Sequence, residues 1–157
     1  MKALLLVLSA LTVSLHGLPA PATSHLVDAP RRAAPRIIKL HGGALDSRRY
    51  LTDWYENLDL MLAMNEPSGK VADLSLAGRR YVEMALYWYG PTWEPFAKDT
   101  TLLKTLDPAD PRAAAGRLHL PQGALPGIVI YQGASQYRVV SEKGIKILEK
   151  YRVPIAP

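Results

Sequence analysis

The stretch RIIKLHGGAL, residues 36–45, places His41, Gly42 and Gly43 directly after a short apolar segment. In α/β-hydrolases, a His-Gly-Gly loop after a strand donates backbone amides to the developing oxyanion. That chemistry also needs a serine in a G-x-S-x-G turn, followed along the chain by an acid and a histidine. The nearest candidate, Ser135, lacks the second glycine, and no histidine follows it. We therefore interpret the His-Gly-Gly sequence as a turn that ends a strand.

Paired carboxylates could also do chemistry, because glycoside hydrolysis uses two of them. The candidates are Asp53, Glu56, Asp59, Glu83 and Glu94. Helix capping explains Asp53 and Glu56, and the outer face of the same helix explains Asp59. An alternative hypothesis remains open, in which Glu83 and Glu94 serve a small hydrolase that acts on envelope carbohydrate. A non-enzymatic role is favoured over it.

The sequence contains no local metal-binding motif. It has four histidines and no cysteine, without an H-x-H or H-E-x-x-H spacing. His119 alternates with Leu118 and Leu120, which predicts that its side chain lies on the solvent face of a strand. We therefore predict no metal site and no cofactor.

Aromatic residues with a polar edge are concentrated in YVEMALYWYGPTWEPF, residues 81–96. Such rings suit half-wet surfaces, including sugar-stacking platforms and protein interfaces. The leading hypothesis is a surface that binds a protein or glycan partner. Its predicted residues are Tyr87, Trp88, Tyr89, Trp93, Arg79 and Arg80. The competing interpretation is that the tryptophans belong to the core and that the tyrosines close the sheet edges.

Helical periodicity predicts the elements that position these residues. Asp53, with Glu56 three residues later, favours the start of a helix that ends before Asn65. Its predicted buried face consists of Trp54, Leu58, Met61 and Leu62.

Two further helical segments are predicted later in the chain. One begins at Thr92, has Pro95 in its first turn and is interrupted near Asp99. The other is capped by Ser141 and ends before Val153-Pro154.

Period-2 patterns predict the strands. One strand of a hairpin spanning residues 71–89 alternates an apolar face with a mixed face, and Gly78 is suited to the connecting turn. The apolar face is Val82, Met84, Leu86 and Trp88, and the mixed face is Tyr81, Glu83, Ala85 and Tyr87. Short strands are also predicted at RIIKL, RLHL, GIVIY and YRVV. The sequence thus predicts a single α+β domain, with an antiparallel sheet of five or six strands covered on one face by two or three helices.

The first 22 residues have the three regions of a secretory signal peptide: Lys2, an apolar run and small residues up to Ala22. The apolar run is shorter than the ~20 residues of a membrane-spanning helix, so we expect no transmembrane segment after signal removal. Residues 23–35 are rich in proline and alanine and are predicted to form a disordered tether before a domain at 36–157. We expect a periplasmic or extracellular protein.

The formal net charge of +5 is spread along the chain together with acidic residues. Together with the predicted export, this distribution disfavours nucleic acid as a partner. Because cysteine is absent, packing must hold the fold together without disulfides.

The segments LTDWYENLDLM, LAGRRYVEMALYW and GIKILEKYRVP resemble small bacterial proteins that have a D-W-x-E-N helix before an aromatic G-R-x-Y strand. The resemblance implies a bacterial source for the domain from about Arg36 onward. It implies no activity, cofactor or site residue.

Overall fold

The computed structural model describes residues 33–65, 76, 78–121, 129–133 and 136–155. The predicted signal peptide and most of the predicted tether lie outside these ranges. Six strands and four helices occur in the described residues. The strands are β1 (Pro35–His41), β2 (Arg49–Leu51), β3 (Tyr81–Trp88), β4 (Ala114–His119), β5 (Ile130–Gly133) and β6 (Gln136–Val139). The helices are α1 (Trp54–Asn65), α2 (Glu94–Lys98), α3 (Thr100–Thr105) and α4 (Glu142–Lys150).

The six strands form one antiparallel sheet in the order β2-β1-β3-β4-β5-β6. This architecture confirms the predicted α+β fold class with a six-stranded sheet. Gly42 and Gly43 end β1 with φ values of 62° and 56°, a left-handed conformation that glycine adopts without a steric penalty. In the described part of the chain, the His-Gly-Gly sequence is therefore a strand-ending turn.

Strand β3 lies between β1 and β4 and is paired on both of its edges. The first half of the predicted hairpin, residues 71–75, lies outside the described residues. Gly78 does form a turn, with φ 74° and a hydrogen bond from Arg79 N to Leu76 O. This turn leads into β3.

One face of the sheet carries the main core, beneath α1 and α4. Val82, Met84 and Leu86 of β3 point into it, together with Leu60 of α1 and Leu148 of α4. Alternation along β3 correctly assigned these three strand residues to one face. The main core thus joins the centre of the sheet to both longer helices.

The predicted buried face of α1 was largely wrong. The buried residues are Asn57, Leu60, Met61, Ala63 and Met64, whereas Leu62 is 55% exposed. Asn57 decides the orientation, because its buried side-chain amide donates to the carbonyl oxygen of Pro35 at 3.0 Å and to that of Leu51 at 3.3 Å. These bonds tie α1 to the sheet and turn Leu62 outward.

The start of α1 is capped as predicted. Asp53 Oδ1 accepts from the backbone N–H groups of Tyr55 at 2.8 Å and Glu56 at 3.1 Å. The Glu56 carboxylate does not take part in this cap. It accepts hydrogen bonds from Lys150, the last residue of α4, and, at 2.5 Å, from the hydroxyl of Tyr151, the next residue. It therefore fastens the two helices together.

Helix α4 contains Gly144 because α1 passes close to it. A Cβ at this position would lie 2.6 Å from Val140 Cγ1 and 2.8 Å from Ala63 Cβ. The missing side chain therefore permits close packing of the helices, which explains a glycine that weakens helix propensity by about 1 kcal/mol relative to alanine.

The opposite face of the sheet carries a smaller second core beneath α2 and α3. It contains Ile37, Ala85, Tyr87, Trp93, Leu103 and Leu106. The two short helices divide at Asp99, whose side chain caps α3 by accepting from Thr101 N and Leu102 N. The sheet is thus packed against helices on both faces, whereas the sequence predicted two or three helices on one face, because the segment around Asp99 packs on the side opposite α1 and α4.

Among the described residues, no helix has the length and apolar character needed to cross a bilayer.

Candidate functional site

The aromatic residues predicted to bind a ligand are divided between the core and the surface. Tyr87 is wholly buried and Trp93 is 6% exposed, and their rings meet edge to face with centroids 4.9 Å apart in the second core. Tyr89 is half-buried, and Trp88 is 38% exposed. Tyr87 and Trp93 thus have no open ring face, and Trp88 is the most exposed ring of the predicted surface.

The two arginines of the predicted surface also differ in their surroundings. Arg79 is buried, and its Nη1 has no hydrogen-bond partner within the described ranges, whereas Arg80 is exposed. Ligand binding by the predicted set stays a prediction, but its six members do not form one accessible surface.

The structure does not bring Glu83 and Glu94 together in one site. Glu94 is bonded to Arg36 at 2.7 Å and to Lys98 at 3.2 Å, whereas Glu83 is paired with His41 across the strands. Arg36 and His41 lie near opposite ends of β1, so the two carboxylates have different partners and different places along this strand.

A different set of side chains is aligned across the sheet. His41, Glu83, Arg117, Gln132 and Tyr137 are directly opposite one another on β1, β3, β4, β5 and β6. Residues in register project from the same face of a sheet. We call this set the polar row. At about 4.8 Å between strands, it spans about 19 Å of the face that carries the second core.

Glu83 and Arg117 form an ion pair at the middle of the polar row. Arg117 Nη2 donates to Glu83 Oε1 at 2.9 Å, and both side chains are about two-fifths exposed. The guanidinium also lies 4.3 Å from the centre of the Tyr81 ring. These two contacts orient Arg117 while leaving it accessible to solvent.

Gln132 is oriented by hydrogen bonds with His119 and with Tyr137, the last member of the polar row. Its Oε1 lies 2.8 Å from His119 Nε2, and its Nε2 donates to the Tyr137 hydroxyl at 3.2 Å. Buried His119 Nδ1 has no partner among the described residues, so the bonding pattern fits a proton on Nε2 that His119 donates to Gln132. The predicted solvent-facing position of His119 was therefore wrong: Gln132 covers it, and it is 6% exposed.

An open groove of about 370 Å³ lies along the polar row from His41 to Gln132, and Tyr137, which is bonded to Gln132, lies outside its lining. This volume falls at the lower end of the range found for small-molecule sites. The groove is lined by His41, Glu83, Met84, Pro108, Ala115, Gly116, Arg117 and Gln132. The small side chain of Ala115, two positions before Arg117 on the same face of β4, leaves space beside the row, and Pro108 bounds it from the loop after α3.

Two buried side chains of the sheet hold the loop that carries Pro108. The Lys39 ammonium donates to the carbonyl oxygen of Leu106, and the Tyr87 hydroxyl donates to that of Asp107 at 2.8 Å. Burial lowers the pKa of Lys39, and nearby Arg48 lowers it further. Burial also raises the pKa of Tyr87 to about 12, so the phenol stays protonated as a donor. The second core thus fixes one wall of the groove.

The surroundings of His41 favour its uncharged form. Partial burial lowers the pKa of its imidazole, an effect that Glu83 opposes and Lys39 and Arg48 assist. Because Glu83 and Arg117 carry opposite charges, the polar row has no net charge.

Within the described ranges, acidic and histidine side chains do not gather in groups of three that could hold a metal ion. Comparison of the chain with protein families, with curated proteins and with solved structures finds no match. The chemistry and geometry of the polar row are therefore the basis for proposing a function.

Sequence reasoning missed Arg117, Gln132 and Tyr137 as site residues. Polar residues alternate with Leu118 and Leu120 in RLHL, which is the signal that could have placed Arg117 on the face opposite the main core. Alternation does not give the register between distant strands, and the register is what aligns Arg117 with Glu83.

Proposed function

We propose that this chain is a non-enzymatic binding or accessory protein of the bacterial cell envelope, and that its ligand lies in the groove along the polar row. The observation that carries the proposal is the alignment of five polar side chains across five strands, on a face whose other half is apolar and covered.

Mutual hydrogen bonds and one cation–π contact support a binding role for these side chains. Arg117 is held by Glu83 and Tyr81, and Gln132 by His119 and Tyr137. Side chains held in one orientation by their neighbours lose little conformational freedom when a ligand binds. They also lie on strands, which position groups more precisely than loops do.

The envelope location is supported by the N-terminal sequence, whose basic, apolar and small-residue regions are typical of a secretory signal. Possible partners at such a location include proteins and glycans, and the groove accommodates a polar ligand of small cross-section.

The proposal can be tested by titrating ¹⁵N-labelled protein with separate pools of neutral sugars, amino acids, dicarboxylates and phosphates. We expect at least one pool to shift the amide signals of residues 41, 83, 116, 117 and 132 in a saturable manner. Shifts confined to other surfaces, such as the one around Trp88, would contradict the proposed site, as would the absence of shifts from every pool. Conversion of a bound ligand into product would contradict the non-enzymatic role.

A further inference from the structure

The charge of the groove limits which ligands it suits. Glu83 and Arg117 form an ion pair, partial burial disfavours the charged form of the His41 imidazole, and Gln132 carries an uncharged amide. An anionic ligand that approaches Arg117 meets the Glu83 carboxylate beside it, and a cationic ligand that approaches Glu83 meets the guanidinium. Neither sign of charge is favoured at the centre of the row.

Two further cations act on His41 but do not change this balance. Lys39 is wholly buried and donates to Leu106, and Arg48 is exposed and does not line the groove. The accessible part of the polar row is therefore neutral.

The row combines donors and acceptors at close spacing. Arg117 has five N–H donors in a planar fork, of which Nη2 supplies the bond to Glu83. The Glu83 carboxylate has two acceptor oxygens, and Oε1 accepts that bond. A hydroxyl group donates and accepts at once, so a ligand with adjacent hydroxyls can satisfy both kinds of group without carrying charge.

An aromatic ring stands at one end of the row. Tyr137 is 42% exposed, and its hydroxyl accepts from Gln132. The Tyr81 ring is covered by Arg117, with the guanidinium 4.3 Å from the ring centre, so Tyr137 is the member of the row with an exposed ring. Rings of this kind combine an apolar face with a polar edge, as a sugar ring does.

We infer that the ligand is a neutral oligosaccharide that lies across the strands from His41 to Tyr137. This inference rests on the proposed function and names the ligand class of the same site. The length of the row, about 19 Å at the usual strand spacing, suits a chain of several sugar rings better than a single ring.

The test compares tetrasaccharides of similar length and different charge by isothermal titration calorimetry. Maltotetraose, cellotetraose and tetra-N-acetylchitotetraose are the neutral probes, and tetragalacturonic acid at pH 7 is the anionic probe. We expect at least one neutral probe to bind, and to bind at least tenfold more tightly than the anionic probe. Failure of all three neutral probes, or preference for the anionic one, would overturn the inference.

A matched pair of variants locates the binding. Arg117→Met removes the central guanidinium of the groove. Arg112→Met is the control, because Arg112 is also paired with an acid, Asp110 at 2.7 Å, and also lies over a ring, Trp93 at 4.8 Å, but does not line the groove. We expect affinity for the neutral probe to fall at least tenfold in Arg117→Met and to stay within twofold in Arg112→Met.

Unfolding midpoints show first that both variants are folded. Equal affinities in the two variants would overturn the inference by placing the sugar elsewhere. If the sugars fail while another pool shifts the groove amides, the ligand class is wrong and the proposed site stands. If no pool shifts those amides, both the proposed ligand class and the proposed site are wrong.

Discussion

The two faces of the same sheet have different compositions. Counted over the described residues, the main core beneath α1 and α4 contains seventeen buried residues, whereas the second core beneath α2 and α3 contains six. The rest of the second face carries the polar row. Apolar burial supplies the main favourable contribution to folding, so the first face accounts for most of the stability. The second face retains accessible polar groups that a ligand can contact.

The largest expected effect comes from the main core. Leu60→Ala removes a wholly buried side chain and should lower the free energy of unfolding by about 2–5 kcal/mol, because it loses apolar burial and leaves a cavity. Leu62→Ala, two positions along the same helix, removes a side chain that is 55% exposed and should change it by less than about 0.5 kcal/mol. Urea denaturation measures both. Equal losses would contradict the assigned face of α1.

Tyr87→Phe tests how the second core supports the groove. It removes the donor to Asp107 O and should lower stability by about 1 kcal/mol at pH 7. Because the folded pKa is raised to about 12 from 10.0, the stabilisation by wild-type Tyr87 is complete below pH 10 and is lost as pH rises through 12. The difference between the two proteins, followed by denaturation from pH 8 upward, should therefore shrink. A constant difference would contradict this assignment.

Glu56→Gln tests the link between α1 and α4. Bonds from Lys150 and Tyr151 lower the pKa of Glu56 below its ordinary value of 4.5. Its contribution is therefore complete above pH 4.5 and is lost as pH falls through the lower folded value. We expect the variant to be about 1 kcal/mol less stable at pH 7 and to differ less from wild type near pH 3. Thermal unfolding at both pH values checks this, and an increasing difference at low pH would be inconsistent with it.

The polar row is expected to contribute little to stability. Arg117→Met breaks an ion pair whose partners are about two-fifths exposed, and such pairs contribute at most about 1 kcal/mol. Chemical denaturation of this variant beside wild type should show a change within that limit. A loss comparable to that of Leu60→Ala would mean that the row is needed for folding, which would remove the contrast between the faces.

Local patterns predicted much of the fold, because caps and alternation depend on neighbouring residues. The Asp53 cap, the division of helices at Asp99 and the apolar alternation from Val82 to Leu86 all appear in the structure. The face of α1 did not follow from periodicity, since apolar residues lie on more than one side of it. The contacts of Asn57 with Pro35 and Leu51 decide that face, and they depend on the tertiary fold.

The candidate site was less predictable than the fold. The sequence predicts Glu83 as a candidate catalytic carboxylate and His41 as part of a turn. Their alignment with Arg117 depends on the register of three strands, which the sequence does not give. The aromatic cluster drew attention to Tyr87 and Trp93, which packing against α2 and α3 places in the second core. Composition could indicate rings suited to a surface, but it could not determine which of them a helix covers.

Binding of the ligand in the groove along the polar row is tested most directly with two variants, Gln132→Ala and Trp88→Ala. Both are first shown to be folded, and their affinities for the ligand found in the pool titration are then compared. Gln132 lies in the polar row, and Trp88 is the exposed ring of the sequence-predicted surface. Loss of hydrogen bonds in the groove should weaken binding by Gln132→Ala about tenfold, and binding by Trp88→Ala should be unchanged. Unchanged binding by Gln132→Ala, together with loss of binding by Trp88→Ala, would place the ligand at the surface around Trp88 and not in the groove.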